Sequence, residues 1–362
     1  MENSPGIVTE NSVERRFSDF AWLQQQLVKH NRGVLVPPLP DKKIIGALTG
    51  DRFSGDFISE RSRGLEKFLN RLAVHAVLQN APQLTTFLTA SDEELAGKKQ
   101  ETKTQPAQED RGIMNFFRES VQSISNTFGA GAERPKDQDD LACDAVVEYA
   151  TLLEKQLEKV HTSAEEIVGR TRGLSKCWFE FALSCTLLGQ YESKNEEEAL
   201  GQVCSKLGNT ADRLSILLTQ KSDDENAQFR EPFKDYLKYT QAVQEMCRSR
   251  AAVLLTYQTS LGVLEARQAS LASVQGVAGK EAQARQIEAS VSEAKTNVDS
   301  DRAELTRVTQ SMLSEAGRFR REKEEDIRAI IINFVNLQIN HSRQVQSAWE
   351  GILTEMEESK SE

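Results

Sequence analysis

Apolar side chains recur at alternating intervals of three and four residues along most of the chain after residue 140. Three long stretches carry this pattern, at about 141–190, 198–265 and 278–357. The spacing puts apolar residues on one side of an α-helix and is typical of helices that pack along their length. It therefore predicts an all-α three-helix coiled coil within residues 140–358.

Each stretch contains a predicted packing seam. The first seam consists of Leu157, Val160, Ala164, Ile167, Thr171, Leu174, Trp178, Phe181, Cys185 and Leu188. The second consists of Phe233, Tyr236, Thr240, Val243, Cys247, Arg250, Leu254, Tyr257, Leu261 and Leu264. We expect Pro232 to kink the second helix, because proline lacks a backbone N–H and clashes with the preceding turn. Since a helix of about 60 residues spans about 90 Å, an elongated, curved body is expected, and a plain structural spacer would share this periodicity.

The residues ahead of these helices divide into three regions. Residues 1–90 combine short helical patterns with a proline-rich turn and predict a small globular domain. Residues 91–112 have no apolar periodicity and predict a flexible linker. Residues 113–128 predict a short amphipathic helix that either folds on a membrane surface or packs against the coiled coil. Its apolar positions are Ile113, Phe117, Val121, Ile124 and Phe128.

The net charge of −10 is distributed unevenly along the chain. Residues 1–90 carry 11 Lys+Arg against 9 Asp+Glu, whereas the remaining residues carry 34 against 46. Cationic contacts to phosphates supply most of the affinity for nucleic acids, so the acidic C-terminal part argues against a nucleic-acid partner. Any anionic partner must therefore be met by local basic patches.

Several classes of protein are excluded by what the sequence lacks. No stretch approaches about 18 uninterrupted apolar residues, so no membrane-spanning helix is predicted. The acidic start of the chain has no apolar core of the kind that signal peptides contain, so we expect a cytosolic protein. The five cysteines lack zinc-ligand spacing, and the four histidines belong to no Ser, Cys or carboxylate constellation. We therefore expect no metal site, no cofactor and no enzymatic activity.

Three short motifs supply a chemistry that suits a phosphorylated, sugar-like ring. In chain order they are Arg15-Arg16-Phe17, the proline turn at 37–40 followed by Lys42 and Lys43, and Arg61 ahead of an apolar helix. A guanidinium pairs with phosphate through two hydrogen bonds, and a lysine acts as a point charge. An aromatic face can stack on the ring itself.

In order and spacing, these motifs resemble the phox-homology (PX) domain. The resemblance implies that Arg16 holds the 3-phosphate of a phosphoinositide and that Phe17 stacks under the inositol ring, although Phe17 could instead belong to the core. It also implies that Lys42 meets the 1-phosphate and that Arg61 bonds the 4- and 5-hydroxyls.

The residues around these motifs have other expected roles. Arg15 is expected to be solvated or strand-paired, and Phe20, Trp22 and Leu23 to be core residues. Ile44 and Ile45 either insert into the bilayer interface or pack the domain. PX domains begin with two strands ahead of the Arg-Arg-Phe strand, and only about fourteen residues precede it here. The resemblance therefore implies an α+β PX domain, shortened at its N-terminus, with an incomplete three-stranded sheet and several helices.

The order of PX-like motifs, amphipathic helix and three long helices resembles the PX–BAR sorting nexins, particularly the retromer-associated subgroup. The segment EPFKDYLKY at 231–239 is similar to part of the second BAR helix. The resemblance implies a dimer whose curved, cationic face follows tubular membrane. The expected membrane-facing charges are Lys234, Lys238, Arg248, Arg318, Arg320 and Arg321, with Arg250, Lys323, Arg267, Lys280 and Arg285 as further candidates. Arg250 also belongs to the second seam, so one of its two assignments must be wrong.

The resemblance implies a phosphoinositide-binding coat subunit that senses or remodels membrane curvature in endosomal sorting and retrograde transport. The implied partners are membranes that contain phosphatidylinositol 3-phosphate or a related phosphoinositide, a second copy or another PX–BAR sorting nexin, and the retromer core and cargo tails. The expected location is the cytosolic face of endosomal membranes. The alternative is a cytosolic coiled-coil scaffold that recruits cargo or partner proteins without binding lipid, which the incomplete sheet favours.

Overall fold

The computed structural model describes residues 12–41, 55–104, 136–195 and 197–358. Within these residues the secondary structure is helical. The predicted contacts Lys42, Ile44 and Ile45 and the predicted amphipathic helix at 113–128 lie outside the described residues, so they stay predictions.

Four α-helices and a 3-10 turn at Leu78–Asn80 form the described part of the N-terminal module. The α-helices are α1 (Phe17–His30), α2 (Gly55–Val74), α3 (Pro82–Thr89) and α4 (Asp92–Thr104). No β-strand occurs in the described parts of this module, 12–41 and 55–104, so the predicted sheet is not confirmed. The strand expected at the Arg-Arg-Phe motif is wrong at Phe17, which begins α1. Helix starts here because the backbone N–H of Arg16 donates to Asp19 Oδ2 at 2.7 Å, which closes the first turn.

An aromatic cluster forms the centre of this module. Phe20, Leu23 and Leu27 lie on one face of α1, at helical spacing, and all three are buried. The ring of Phe20 meets Phe87 of α3 edge-on, with 4.8 Å between the centroids, and Phe68 of α2 at 6.3 Å. The prediction that Phe20 and Leu23 are core residues is confirmed, and together these contacts hold α1, α2 and α3 in place.

The segment predicted as a linker is helical over Asp92–Thr104, so that prediction is wrong for these residues. The backbone N–H of Ser91 donates to the Glu94 carboxylate at 2.9 Å, and the backbone N–H of Glu94 donates to Ser91 Oγ at 3.3 Å. This reciprocal capping starts α4, and three acidic residues in its first turn suit the positive end of the helix dipole. Leu95 is 3% exposed, so the helix is anchored by burial as well.

The three predicted long helical stretches are confirmed. The helices are α5 (Gln138–Lys194), α6 (Glu198–Glu225), α7 (Glu231–Val274) and α8 (Glu281–Glu358). A π-helical turn at Asn226–Arg230 separates α6 from α7 just ahead of Pro232. Proline cannot donate to the carbonyl four residues earlier, so regular α-helix gives way to a wider turn at this point.

The described residues divide into two compact units. The first contains those up to Ala150 together with Gln241–Gly317, and here the N-terminal module lies against α8. Gly33, at φ 81°, approaches α8 so closely that a Cβ would lie 2.6 Å from the carbonyl oxygen of Val308. Only glycine satisfies both the backbone conformation and the available space.

A buried histidine makes a second contact between the module and α8. His75 is 2% exposed, and its Nδ1 accepts the backbone N–H groups of Val77 at 3.1 Å and Leu78 at 3.2 Å. Its Nε2 therefore carries a proton and donates to Glu315 Oε2 at 3.2 Å. The two ends of the imidazole thus join the turn after α2 to α8.

The second unit contains Thr151–Thr240 together with the described residues from Arg318 onward. The first predicted seam is only half buried here. Leu157, Ala164 and Cys185 are buried, as predicted. Every second residue of this seam is instead 38–50% exposed. These residues lie seven positions apart and are Val160, Ile167, Leu174, Phe181 and Leu188. The seam prediction is therefore wrong for this second line of residues within a single chain.

A buried polar cluster fixes the register of three helices in the second unit. Glu225 of α6 is 1% exposed and accepts hydrogen bonds from Thr171 Oγ1 of α5 at 2.9 Å and Gln338 Nε2 of α8 at 2.7 Å. A buried carboxylate without partners would cost several kcal/mol, so a one-turn slip of any of these helices is unfavourable.

Small residues bring α5 and α6 into close contact within the same unit. A Cβ at Gly201 would lie 2.7 Å from the carbonyl oxygen of Gly189 and 3.0 Å from the backbone nitrogen of Ser193. By contrast, a Cβ at Gly169 of α5 would have no neighbour within 4 Å.

The same substitution at these two glycines should change stability in opposite directions. We expect Gly201→Ala to lower the free energy of unfolding by about 1–3 kcal/mol, because backbone atoms must move apart. We expect Gly169→Ala to raise it by up to about 1 kcal/mol, since alanine favours the helix interior over glycine. Chemical denaturation followed by circular dichroism measures both, and equal effects would contradict the close helix contact.

Candidate functional site

The N-terminus of α1 and one side of α2 place three predicted ligand-binding residues near one another. Arg16 is the exposed N-cap residue of α1, and Phe17 follows it, half-buried. Arg61 comes from α2, and its guanidinium carbon lies 4.8 Å from the centroid of the Phe17 ring. The structure therefore brings Phe17 and Arg61 into contact, with Arg16 adjacent along the backbone.

This arrangement offers an aromatic ring with one guanidinium over its face and an exposed arginine next to it in the sequence. The Arg61–Phe17 contact is a cation–π interaction, which holds the guanidinium against the ring and limits its conformations. The N-terminus of α1 adds the partial positive charge of its first backbone N–H groups. Such a surface can bind an anionic group at Arg16 while a ring-shaped ligand meets Phe17.

Arg15, the neighbour of Arg16, has a different environment from the one expected. Its side chain is only 4% exposed. Its Nε donates to the Phe87 carbonyl at 2.8 Å, another nitrogen donates to Asp92 Oδ1 at 2.9 Å, and a third donates to the Ala90 carbonyl. The prediction of a solvated or strand-paired arginine is wrong, because Arg15 joins the end of α3 to the start of α4.

A carboxylate and a lysine, neither of them predicted, support the start of α1. Asp19 Oδ2 accepts the Arg16 backbone N–H, and its other oxygen, Oδ1, accepts the ammonium of Lys99 from α4. Burial alone would raise the pKa of Asp19, but the hydrogen bonds from Lys99 and the Arg16 backbone outweigh it and lower the pKa. Asp19 is therefore ionised at neutral pH. Asp19 at the third helical position is the acidic half of a capping box, but arginine is not a preferred N-cap residue, so the sequence contained only part of the signal for this helix start.

The charges proposed to face a membrane have several kinds of environment. Arg250 is 7% exposed, bonds to Asp140, and donates to Thr309 Oγ1 at 3.2 Å. Its membrane-facing assignment is wrong, because the guanidinium is buried in the second seam. Arg248 and Arg318 form ion pairs along their own helices, at 2.7 Å and 2.6 Å. Lys234 and Lys238 are half-buried, and Arg320 and Arg321 are exposed, so lipid contact by these residues stays a prediction.

The described helices include none that is long and apolar enough to cross a membrane. Residues 5–91 match the PX domain family. Residues 113–355, which are more than half of the chain, match the family described as Vps5 C terminal like. The chain belongs to the Vps5 C-terminal-like family and is a PX–BAR sorting nexin.

Relatives of this sorting nexin extend over nearly its whole length. Sorting nexin 1 of Arabidopsis thaliana is 29% identical, covering 97% of this chain and 85% of its own. Human sorting nexin-2 is 25% identical, covering 96% of this chain but 65% of its own, so the chain spans about two thirds of that relative. The cryo-EM structure of the SNX-BAR Mvp1 tetramer has a TM-score of 0.56 at 20% identity and covers 94% of this chain and 88% of that chain, which shows the shared fold.

Removing the Arg15 side chain should lower the stability of this sorting nexin much more than removing the neighbouring Arg16 side chain. We expect Arg15→Ala to lower the free energy of unfolding by about 3 kcal/mol, because two buried carbonyls lose their donor. Arg16→Ala removes an exposed side chain and serves as the matched control, with an expected change within about 0.5 kcal/mol. Denaturant titration of both variants measures the difference. A stable Arg15→Ala variant would show that the buried contacts contribute little.

Proposed function

We propose that this sorting nexin binds a phosphoinositide headgroup at Arg16, Phe17 and Arg61, and that it remodels endosomal membrane as an assembly of several copies. The observation that carries the proposal is the Arg61 guanidinium, 4.8 Å from the Phe17 ring centroid, beside the exposed Arg16. Arg16 would hold the 3-phosphate, Phe17 would meet the inositol ring, and Arg61 would bond its hydroxyls. Lys42, outside the described residues, would meet the 1-phosphate.

The chemistry of this site supports recognition with modest affinity. Hydrogen bonds to charged groups contribute about 1.5–3 kcal/mol each, so two or three of them give weak to moderate binding by one module. Two modules in one assembly bind the same membrane together, and such multivalency raises affinity by about 10²–10⁴. Headgroup recognition and assembly therefore depend on each other.

The exposed apolar side chains of α5 support a second copy as the partner of the helical part. Five of them are the seven-residue series from Val160 to Leu188, and others lie on a further side of the helix, at Phe179, Leu183 and Leu187. In the C-terminal part of this stretch, between residues 178 and 188, the exposed polar side chains are Glu180 and Ser184, which lie on one narrow strip. A helix that is apolar around most of its circumference is normally buried, so one chain leaves this helix incompletely covered.

Helix α8 presents a matching surface in the same unit. Ile332, Val335 and Ile339 follow helical spacing and are 44–50% exposed. Trp349 of α8 meets Trp178 of α5 with 5.7 Å between ring centroids, so the two helices are neighbours. A second copy that brings the same surface would bury both sets of side chains, and a related PX–BAR sorting nexin could do the same.

The remaining parts of the proposal concern location and partners. Arg320, Arg321 and the cationic residues near them would face anionic lipid at the cytosolic side of endosomes. The preferred lipid would be phosphatidylinositol 3-phosphate or a related phosphoinositide, since the Arg16 motif resembles sites for a 3-phosphate. Retromer components and cargo tails would be recruited to the same membrane.

Removal of the Arg16 guanidinium should strongly weaken lipid-dependent binding. We expect the wild type to sediment with vesicles that contain phosphatidylinositol 3-phosphate and to tubulate them, as scored by electron microscopy. Arg16→Ala should lose about 10–100-fold in affinity, because a charge-assisted contact to phosphate is lost. Arg63→Ala, which removes an exposed arginine from α2, is the matched control and should bind nearly as the wild type does.

Binding to both lipid-containing and lipid-free vesicles would point to charge attraction alone. A wild type that stays in the supernatant at physiological salt would refute the lipid-binding proposal and favour a cytosolic coiled-coil scaffold that recruits partner proteins.

A charge placed in the exposed apolar series should disrupt assembly. We expect Phe181→Lys to lower the affinity between copies by at least about 100-fold, because the lysine would be buried without a partner. Ser184→Lys lies in the polar strip of the same helix and should leave assembly unchanged, since it can pair with Glu180 four residues earlier. Sedimentation equilibrium measures the mass of each variant, and a monomeric wild type would contradict self-assembly.

A further inference from the structure

Helix α4 lies outside both family matches, which cover residues 5–91 and 113–355. It nevertheless contacts other helices of the N-terminal module at several points. Trp22 Nε1 of α1 donates to Thr102 Oγ1 at 3.1 Å, and Lys98 Nζ donates to Thr86 Oγ1 of α3 at 3.2 Å. Together with the buried Leu95, these contacts fix α4 against α1 and α3.

The ion pair between Lys99 and Asp19 reaches the N-cap of α1, where Asp19 also bonds the backbone of Arg16. Both side chains are largely covered, with 24% and 14% of their surfaces exposed. Partial burial strengthens the pair compared with one on the open surface, because less water screens the charges.

The two oxygens of the Asp19 carboxylate accept hydrogen bonds from different groups. Oδ1 accepts the Lys99 ammonium, whereas Oδ2 accepts the backbone N–H of Arg16. The carboxylate plane is therefore held by α4 at one end and fixes the N-cap of α1 at the other. The backbone N–H of Arg16 is thus connected to Lys99 of α4 through the Asp19 side chain.

We infer that α4 is part of the headgroup-binding site, in which Lys99 acts through Asp19 to position Arg16 and Phe17 for a phosphorylated inositol ring. This inference rests on the proposed function. Lys99 is a positioning residue: its ammonium is engaged by Asp19, and its effect reaches the ligand through the first turn of α1. Without it, the Asp19 carboxylate can rotate, the N-cap loosens, and the binding side chains lose their fixed geometry.

Five variants of the full chain test this positioning role against a soluble, short-chain phosphatidylinositol 3-phosphate by isothermal titration. We expect Lys99→Gln to weaken binding by about fivefold to tenfold and Asp19→Asn to do the same, since either removes the ion pair. Their double variant should bind no more weakly than either single variant, because both act through one interaction. Lys99→Arg should restore most of the affinity. Lys29→Gln, which removes an exposed lysine from the last turn of α1, is the control and should stay within about twofold of the wild type.

The salt dependence of binding separates positioning from direct contact. Each cation that neutralises a phosphate steepens the fall of affinity with salt, so Arg16→Ala should flatten this dependence. Lys99→Gln should keep the slope of the wild type, because no contact to the ligand is lost. A flattened slope for Lys99→Gln would overturn the positioning role in favour of direct binding.

The remaining outcomes also distinguish the proposals. If the wild type binds and Lys99→Gln leaves its affinity unchanged, the positioning role is refuted and the proposed function stays intact. The same holds if the losses of affinity in the two single variants add up in the double variant. A wild type without measurable binding would refute the proposed function itself. Circular dichroism melting identifies a variant that fails to fold. In that case the Lys99→Arg comparison decides, because a positioning role requires wild-type affinity from the conservative change and a folded state.

Discussion

A long helix with an apolar side must bury those apolar side chains along its whole length, and this constraint governs the helical part of the protein. Apolar residues at alternating spacings of three and four produce two neighbouring lines on α5. One line, which includes Leu157 and Ala164, is covered within the chain, while the line from Val160 to Leu188 is not. A single chain therefore buries one of the two apolar lines on α5 and leaves the other exposed. The proposed assembly would bury that remainder, since apolar surface of this extent is unfavourable in water.

Buried charges determine which of the many possible helix registers is adopted. Apolar seams tolerate sliding, because one aliphatic contact resembles the next, whereas a buried carboxylate or guanidinium requires its own partner. Glu225 with Gln338, and Arg250 with Asp140, impose such requirements within the respective units. His75 and Glu315 impose another, which places the N-terminal module at one position along α8. The register of the helices is thus set by a few buried polar contacts within otherwise apolar interfaces.

The sequence predicted those features that depend on local periodicity or on a local motif. The three long helical stretches followed from spacing alone, and Phe20 and Leu23 were expected in the core as apolar neighbours of the Arg-Arg-Phe motif. Helix α4 was missed because its apolar periodicity is negligible and its stability comes from capping at Ser91 and from charge. The environments of Arg15 and Arg250 could not be predicted, because their partners, such as Phe87 and Asp140, lie 72 and 110 residues away. Distant partners of this kind have no signal in a single sequence.

Two adjacent arginines show how one motif can serve both stability and binding. At the entry to α1 the backbone is extended, so successive side chains point in opposite directions. Arg15 points inward and donates hydrogen bonds to the Phe87 and Ala90 carbonyls, whereas Arg16 is exposed beside Phe17. The inward arginine fixes the segment from which the outward one projects. A cationic binding residue gains most when its backbone is already rigid, because less conformational entropy is then lost on binding. The motif therefore requires both arginines, one to hold the turn and one to meet the ligand.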